Sequence, residues 1–159
     1  MAEWRIWRVA VEWPDYVLKA SAIIGGGLAV LTFWRTAKVR RAEWLSNLHA
    51  KFFESSSYKR IRRVLDSSDV DPEFVQLKSD ITDGRSTTFA EEFVDYLNFF
   101  EFVASLRRLG QIKSEEIAML FEYYLRLLRK HDFVRRFVRD NGFEELDQLL
   151  EECVDRRPE

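Results

Sequence analysis

Residues 20–41 read ASAIIGGGLAVLTFWRTAKVRR, an apolar run that holds three consecutive glycines and closes on four basic side chains. No other stretch restricts the fold of this chain as much. A phosphate loop of the Walker kind needs Gly-x-x-x-x-Gly-Lys-Ser/Thr behind a strand. Gly25, Gly26 and Gly27 are followed instead by LAVLTFW, with no lysine or hydroxyl where phosphate and metal would need them. A cleaved secretory signal needs a basic start, a short apolar core and small residues at the cut. Here Arg5, Arg8 and Lys19 are balanced by Glu3, Glu12 and Asp15, and the apolar core runs into Phe33, Trp34 and Arg35.

The spacing predicts a transmembrane helix over residues 16–37. From Tyr16 to Trp34 the one charge is Lys19, near an end from which its long stem reaches headgroups. A span needs ~20 residues at ~1.5 Å each, so the run is just long enough. Trp13 and Tyr16 flank one side and Phe33 and Trp34 the other, as interfacial aromatics do. Arg35, Lys38, Arg40 and Arg41 follow, which by the positive-inside rule puts the carboxyl-terminal side in the cytoplasm. The expected location is a bacterial inner membrane, with the amino terminus outside and lipid as a partner. The competing reading is a buried helix of a soluble protein. Ser21, Gly25 and Ala29 recur every four residues, as do Ala22 and Gly26, and such a stripe lets helices approach closely in lipid. It predicts a homo-oligomer; a loosely packed span without a partner is the alternative. Ahead of it, residues 1–15 set Trp4, Trp7 and Val11 opposite Arg5, Arg8 and Glu12, as an interfacial helix or an arm tethered by tryptophans.

Beyond the span the chain reads as all-α. It has three prolines and six glycines in 159 residues and is 47% hydrophobic, which favours long helices around a packed core. Residues 1–41 carry seven basic and three acidic side chains, a net +4, so the chain's −2 leaves −6 for the rest. An acidic body behind a basic collar suits a membrane surface better than bulk nucleic-acid binding. Cys153 is the single cysteine, so no intrachain disulfide forms. Trp44, Leu48 and Phe52 repeat at four-residue spacing in a segment that continues the span as one long helix. Ser55-Ser56-Ser57 breaks it, and Ser57 is the expected N-cap of YKRIRRVLD. Residues 66–88, polar and holding Pro72 and Gly84, read as a loop with at most one helical turn. Thr88-x-x-Glu91 is a capping box opening FAEEFVDYLNFFEFVASLRRL, which Gly110 ends. Ser114 with Glu115 and Glu116 starts one helix that runs unbroken to Asn141-Gly142, and a last helix covers roughly 144–154. The architecture expected is a transmembrane helix followed by a small cytoplasmic bundle over 38–159, of four or five helices.

LNFFEFVASLRRLGQIKSEEIAMLFEYYL, preceded by a span, a basic stop and RRAEWLSNLHAKFFESSSYKRIRRVL, resembles a family of small bacterial and phage membrane proteins. The likeness covers most of residues 17–150. It implies one amino-terminal span and a helical cytoplasmic domain, and it assigns no activity. In layout the chain is more distantly similar to the membrane accessory proteins of type VI-B, RNA-targeting CRISPR systems. That likeness implies an oligomeric membrane pore used in antiviral defence.

The candidate chemistry lies in the arginine-rich stretch near the end. Arg126-Leu-Leu-Arg-Lys-His131 resembles the Arg-x4-His signature of a helical ribonuclease superfamily, where arginine and histidine from paired subunits meet at the scissile phosphate. Leu127 stands where that superfamily usually has a polar residue. The competing reading makes Arg126, Arg129 and Lys130 a solvated face and His131 an ordinary helix residue. Arg129, Lys130, Arg135, Arg136 and Arg139 are candidates to bind an anion: a nucleotide messenger, RNA or a lipid headgroup. Ion pairs with Asp132, Glu144 and Glu145 are the alternative use. Asp66, Asp69, Asp71 and Glu73 crowd one loop but lack the order of a calcium loop, so capping and solubility explain them. No Cys/His set has zinc spacing, and neither metal nor cofactor is expected. The function expected is binding and assembly, as a membrane defence or stress effector. A membrane-tethered ribonuclease using Arg126 and His131, or a phage protein that recruits a partner, are the alternatives.

Overall fold

The computed structural model describes residues 32–36 and 39–155, and every regular element among them is helical. The chain divides into two compact units, residues 1–48 and 49–159. Residues 32–36 are helical, and α1 covers residues 39–54. Then come α2 (Ser56–Asp66), α3 (Pro72–Thr82), α4 (Thr88–Arg108), α5 (Ser114–Lys130), α6 (Asp132–Asp140) and α7 (Glu144–Asp155).

The all-α expectation holds among the described residues, but the transmembrane helix is corrected. No helix there is long and apolar enough to cross a membrane. Residues 32–36 are exposed, and α1 carries Arg40, Arg41, Glu43, Lys51 and Glu54, too many charges for a hydrocarbon layer. Trp34, Arg35 and Arg40 are exposed and Arg41 is half-buried. The Thr36 hydroxyl donates to the Thr32 carbonyl at 2.9 Å. Trp13, Tyr16, Ser21, Gly25, Gly26, Ala29 and Lys38 lie outside the described residues, as does the whole interfacial segment 1–15.

In the second unit, Phe52 sits at the centre of a ring cluster. It is fully buried and contacts Phe53, Tyr58, Tyr96, Phe99, Phe100, Phe121 and Tyr124 at centroid distances of 5.0–6.1 Å. Arg62 closes this cluster from α2. Its guanidinium lies 4.7 Å from the Phe52 ring centre and donates to the Phe52 and Phe53 carbonyls. Those carbonyls belong to the last turn of α1, which has no helical donors of its own.

Helix ends follow short-range chemistry, in places one or two residues from where the sequence put them. Ser55, not Ser57, caps α2, its hydroxyl accepting from Tyr58 N. Thr87, not Thr88, caps α4 by accepting from Ala90 N at 3.1 Å. Gly110 and Gly142 end α4 and α6 with φ of +67° and +79°, a region that costs other residues strain. The first turn of α7 is capped from another helix: the Glu101 carboxylate of α4 accepts from Glu145 N and Leu146 N, the latter at 2.7 Å. Arg107 and Arg108 of α4 then pair with Glu152 and Glu145.

Two boundaries differ from the sequence reading more deeply. Residues 72–82 form a full helix where a loop was expected. Asp71 caps α3 by accepting from Glu73 N at 2.8 Å, with Pro72 in the first turn, and Phe74, Leu77 and Ile81 face inward. The expected single helix from Ser114 to Asp140 is instead two, broken at His131, whose backbone is extended (φ −96°, ψ 117°). The break redirects α6, which packs against α3, α5 and α7.

Candidate anion-binding groove

The basic residues of α5 and α6 divide into two groups. Arg126 pairs with Glu122, Arg135 with Asp132, and Arg139 with Asp147 and Glu151 at 3.5 and 3.6 Å. Arg129 is half-buried. Lys130 and Arg136 make no ion pair among the described residues, and both line a groove of about 430 Å³ between α3 and the α5–α6 junction. Lys78 of α3 joins them there, also without an ion pair among the described residues. Lys78 was invisible as a site residue while α3 read as a loop. The signal for it was Asp71-Pro72-Glu73, a cap, a first-turn proline and an acidic first turn in succession.

His131 and Phe74 form the groove's inner wall. His131 is buried, and its Nε2 lies 2.9 Å from the Leu65 carbonyl. A carbonyl only accepts, so Nε2 carries the proton. The ring also packs on Phe74 at 4.9 Å and Phe133 at 6.0 Å. Because the imidazole is held on α2, it does not cap α6, although its backbone stands at the cap position. Asp132 opens α6 at the groove's edge. The hydrogen bond from Arg135 holds its carboxyl below the ordinary 3.8, with the Arg135 charge second and Arg136 and Lys78 adding to it. Both of those cations therefore project their field over the mouth of the groove.

This hollow continues beyond Lys130. Thr82, Phe133 and Arg136 also line a second depression of about 330 Å³. Ile81, Gly84, Phe137 and Asn141 are shared between that one and a third of about 390 Å³. The trough is this succession of three hollows, which follow one another from the α5–α6 junction along α3 and α6 to the start of α4. At its far end stand Asp80, Glu91 and Asp95, with Asp140 beside the middle. Arg85, also there, is already engaged by Asp83 at 2.8 Å and Asp80 at 3.7 Å.

Arg126 and His131 are carried to different faces. Arg126 stands on α5, whereas His131 lies just past its end, where the backbone is extended. Arg126 is exposed, and His131 is buried beneath α2 and α3. The acidic residues of the α2–α3 connection serve the fold: Asp71 caps α3, and Glu73 pairs with Arg60 and Arg63. Among the described residues no group of three His, Cys, Asp or Glu side chains could hold a metal ion.

No known protein family, no curated protein and no solved structure matches this chain, so the resemblances above rest on the quoted residues alone.

Proposed function

We propose that the unit of residues 49–159 is a binding module that takes a phosphate-bearing ligand between α3 and the α5–α6 junction. The observation that carries this reading is the convergence of Lys78, Lys130 and Arg136 on one groove while Arg126, Arg135 and Arg139 each make an ion pair. Cations that make no direct ion pair lower the cost of placing an anion beside them, although Asp132 shares the field of Lys78 and Arg136. The α6 N-terminus opens on the same groove and adds a favourable dipole. Asp69 and Asp132 also line it and oppose an anion there, so the three cations act against two carboxylates.

Binding by charge has a plain signature. Inorganic pyrophosphate titrated into the full chain by calorimetry should bind at low salt and weaken steeply as salt rises. The double substitution Lys78→Gln with Arg136→Gln should cost about tenfold or more in affinity, since each lost charge-assisted contact is worth ~1.5–3 kcal/mol. Arg126→Gln, on the other face, should change nothing. Absence of pyrophosphate binding, or binding indifferent to the double substitution, would overturn the reading. The ribonuclease alternative makes the opposite demand. It requires RNA cleavage that depends on both Arg126 and His131, and we expect none from the purified chain.

A further inference from the structure

We infer that the ligand of this groove is a small nucleotide lying along the α3–α6 seam, phosphates among Lys78, Lys130 and Arg136, base against Phe133 and Phe137. This inference rests on the anion-binding reading above and adds the part of the ligand that is not phosphate. Three features of the trough bear on it in order along its length. The cationic end takes phosphate. The middle is walled by Phe133 and Phe137, which are half-buried, as Phe53, Tyr58 and Tyr124 are at the rim of the cluster around Phe52, and which border the hollow itself. A half-exposed ring beside a charged groove is a stacking surface for a flat heterocycle. The far end presents the carboxylates of Glu91 and Asp95, with the Asn141 side chain nearby, while Asp80 there is buried and taken by Thr87 and Arg85. Carboxylates accept hydrogen bonds and donate none, so they suit the amino groups of a base or the hydroxyls of a ribose.

The same polarity argues against a nucleic-acid strand. A strand following the trough would carry phosphates past Phe137 onto those carboxylates, where like charges oppose it. A mononucleotide has its charge at one end and its donors at the other. The size also suits a small ligand: the cationic groove alone, about 430 Å³, lies within the range of small-molecule sites, ~300–1,000 Å³.

The test compares pyrophosphate, ribose 5-phosphate, the nucleoside diphosphates and a single-stranded ten-nucleotide RNA, each titrated into the full chain. At least one nucleoside diphosphate should bind about tenfold tighter than pyrophosphate, the size of one base-stacking contact. Phe137→Leu keeps the apolar volume and removes the ring. It should bring that nucleotide down to the affinity of pyrophosphate while leaving pyrophosphate itself unchanged. Asp95→Asn, exposed and outside the core, should alter the ranking among the bases without altering pyrophosphate. If pyrophosphate binds and no nucleotide binds better, this inference falls and the anion-binding reading stands. If the RNA binds tighter than every mononucleotide, the trough tracks a strand and the inference falls as well. If nothing binds, both fall together.

Discussion

The second unit holds two sets of aromatic rings that a composition count would treat alike. Around Phe52, rings from α1, α2, α4 and α5 close on one another, with Tyr96, Phe100 and Phe121 fully buried. Along the α3–α6 seam, Phe74, Phe133 and Phe137 also pack against neighbours, yet Phe133 and Phe137 keep a side open beside charged residues. The first set is closed by Arg62, which caps carbonyls and covers rings at once. The second has Lys78, Lys130 and Arg136 at its edge, none of them in a direct ion pair among the described residues. A ring is core where its neighbours are satisfied and wall where they are not.

That contrast breaks if the two sets respond alike to truncation. Phe52→Ala removes a fully buried ring that touches seven others and should cost about 3–5 kcal/mol in urea unfolding. Phe137→Ala, with one side open, should cost clearly less. Equal losses would mean that the seam is ordinary core and that the trough is packing slack.

His131 packs within the seam set, on Phe74 and Phe133, and gives the next effect. His131→Ala strands the Leu65 carbonyl and empties the space against Phe74, so a loss of about 2–3 kcal/mol is expected. His131→Gln, whose amide donates, should recover part of it. A His131→Ala variant as stable as the parent would end the structural account of this residue and reopen the catalytic one.

Most of the helices were legible because their signals are local. The Phe93, Leu97, Phe100 and Ala104 stripe of α4 is buried as spaced, and Gly110 and Gly142 stop helices where left-handed backbone is needed. Helix α3 was missed for weighting polar content over pattern: Phe74, Leu77 and Ile81 recur at helical intervals behind an evident cap. The break at His131 was hidden for a different reason. Leu125, Leu128, His131, Val134 and Val138 keep the three-and-four rhythm straight through it. The contact that accompanies the break is with Leu65, sixty-six positions away, and no local pattern encodes it. The groove inherits both misses, because Lys78 needs α3 and Arg136 needs the turn into α6. The transmembrane expectation arose from a run that lies mostly outside the described residues, read from its hydropathy, flanking aromatics and basic stop.

Tyr96 offers a subtler probe of the sealed cluster. Its hydroxyl is buried with no hydrogen-bond partner among the described residues. Burial pushes the phenol well above its ordinary 10.0, against the opposing pull of Arg62. Tyr96→Phe deletes the unpaired group and should stabilise the fold by about 1 kcal/mol. The sign of the pH effect follows from the raised value. Below pH 10 both states keep the proton and stability is flat; above it the unfolded chain ionises first, so the parent loses stability as pH rises. The gap between Tyr96→Phe and the parent should therefore widen only above pH 10. A gap that is constant to pH 11 would mean that the phenol is reached by water and that the cluster is less sealed than drawn.

The smallest effect tests the open side. Asp132 is exposed at the mouth of the groove, and the Arg135 hydrogen bond, with Arg136 and Lys78 adding their field, keeps it ionised well below neutrality. A depressed carboxyl contributes stability above its unfolded pKa and loses it as pH falls, but solvent screening at this site makes that contribution slight. Its influence on a bound anion is more direct, since it competes for the same cations. Asp132→Asn removes that competitor and frees Arg135 to turn toward the groove. Unfolding midpoints should hardly move, while pyrophosphate affinity should rise about two- to fivefold, the reach of one exposed charge pair. The rise should shrink as salt increases, because the groove mouth is open to counter-ions. If Asp132→Asn weakens pyrophosphate binding instead, the carboxylate is orienting Arg135 and Arg136 rather than competing with the ligand. The cations would then be wall, like the rings around Phe52, and the distinction between the two regions would dissolve at the point where it was drawn.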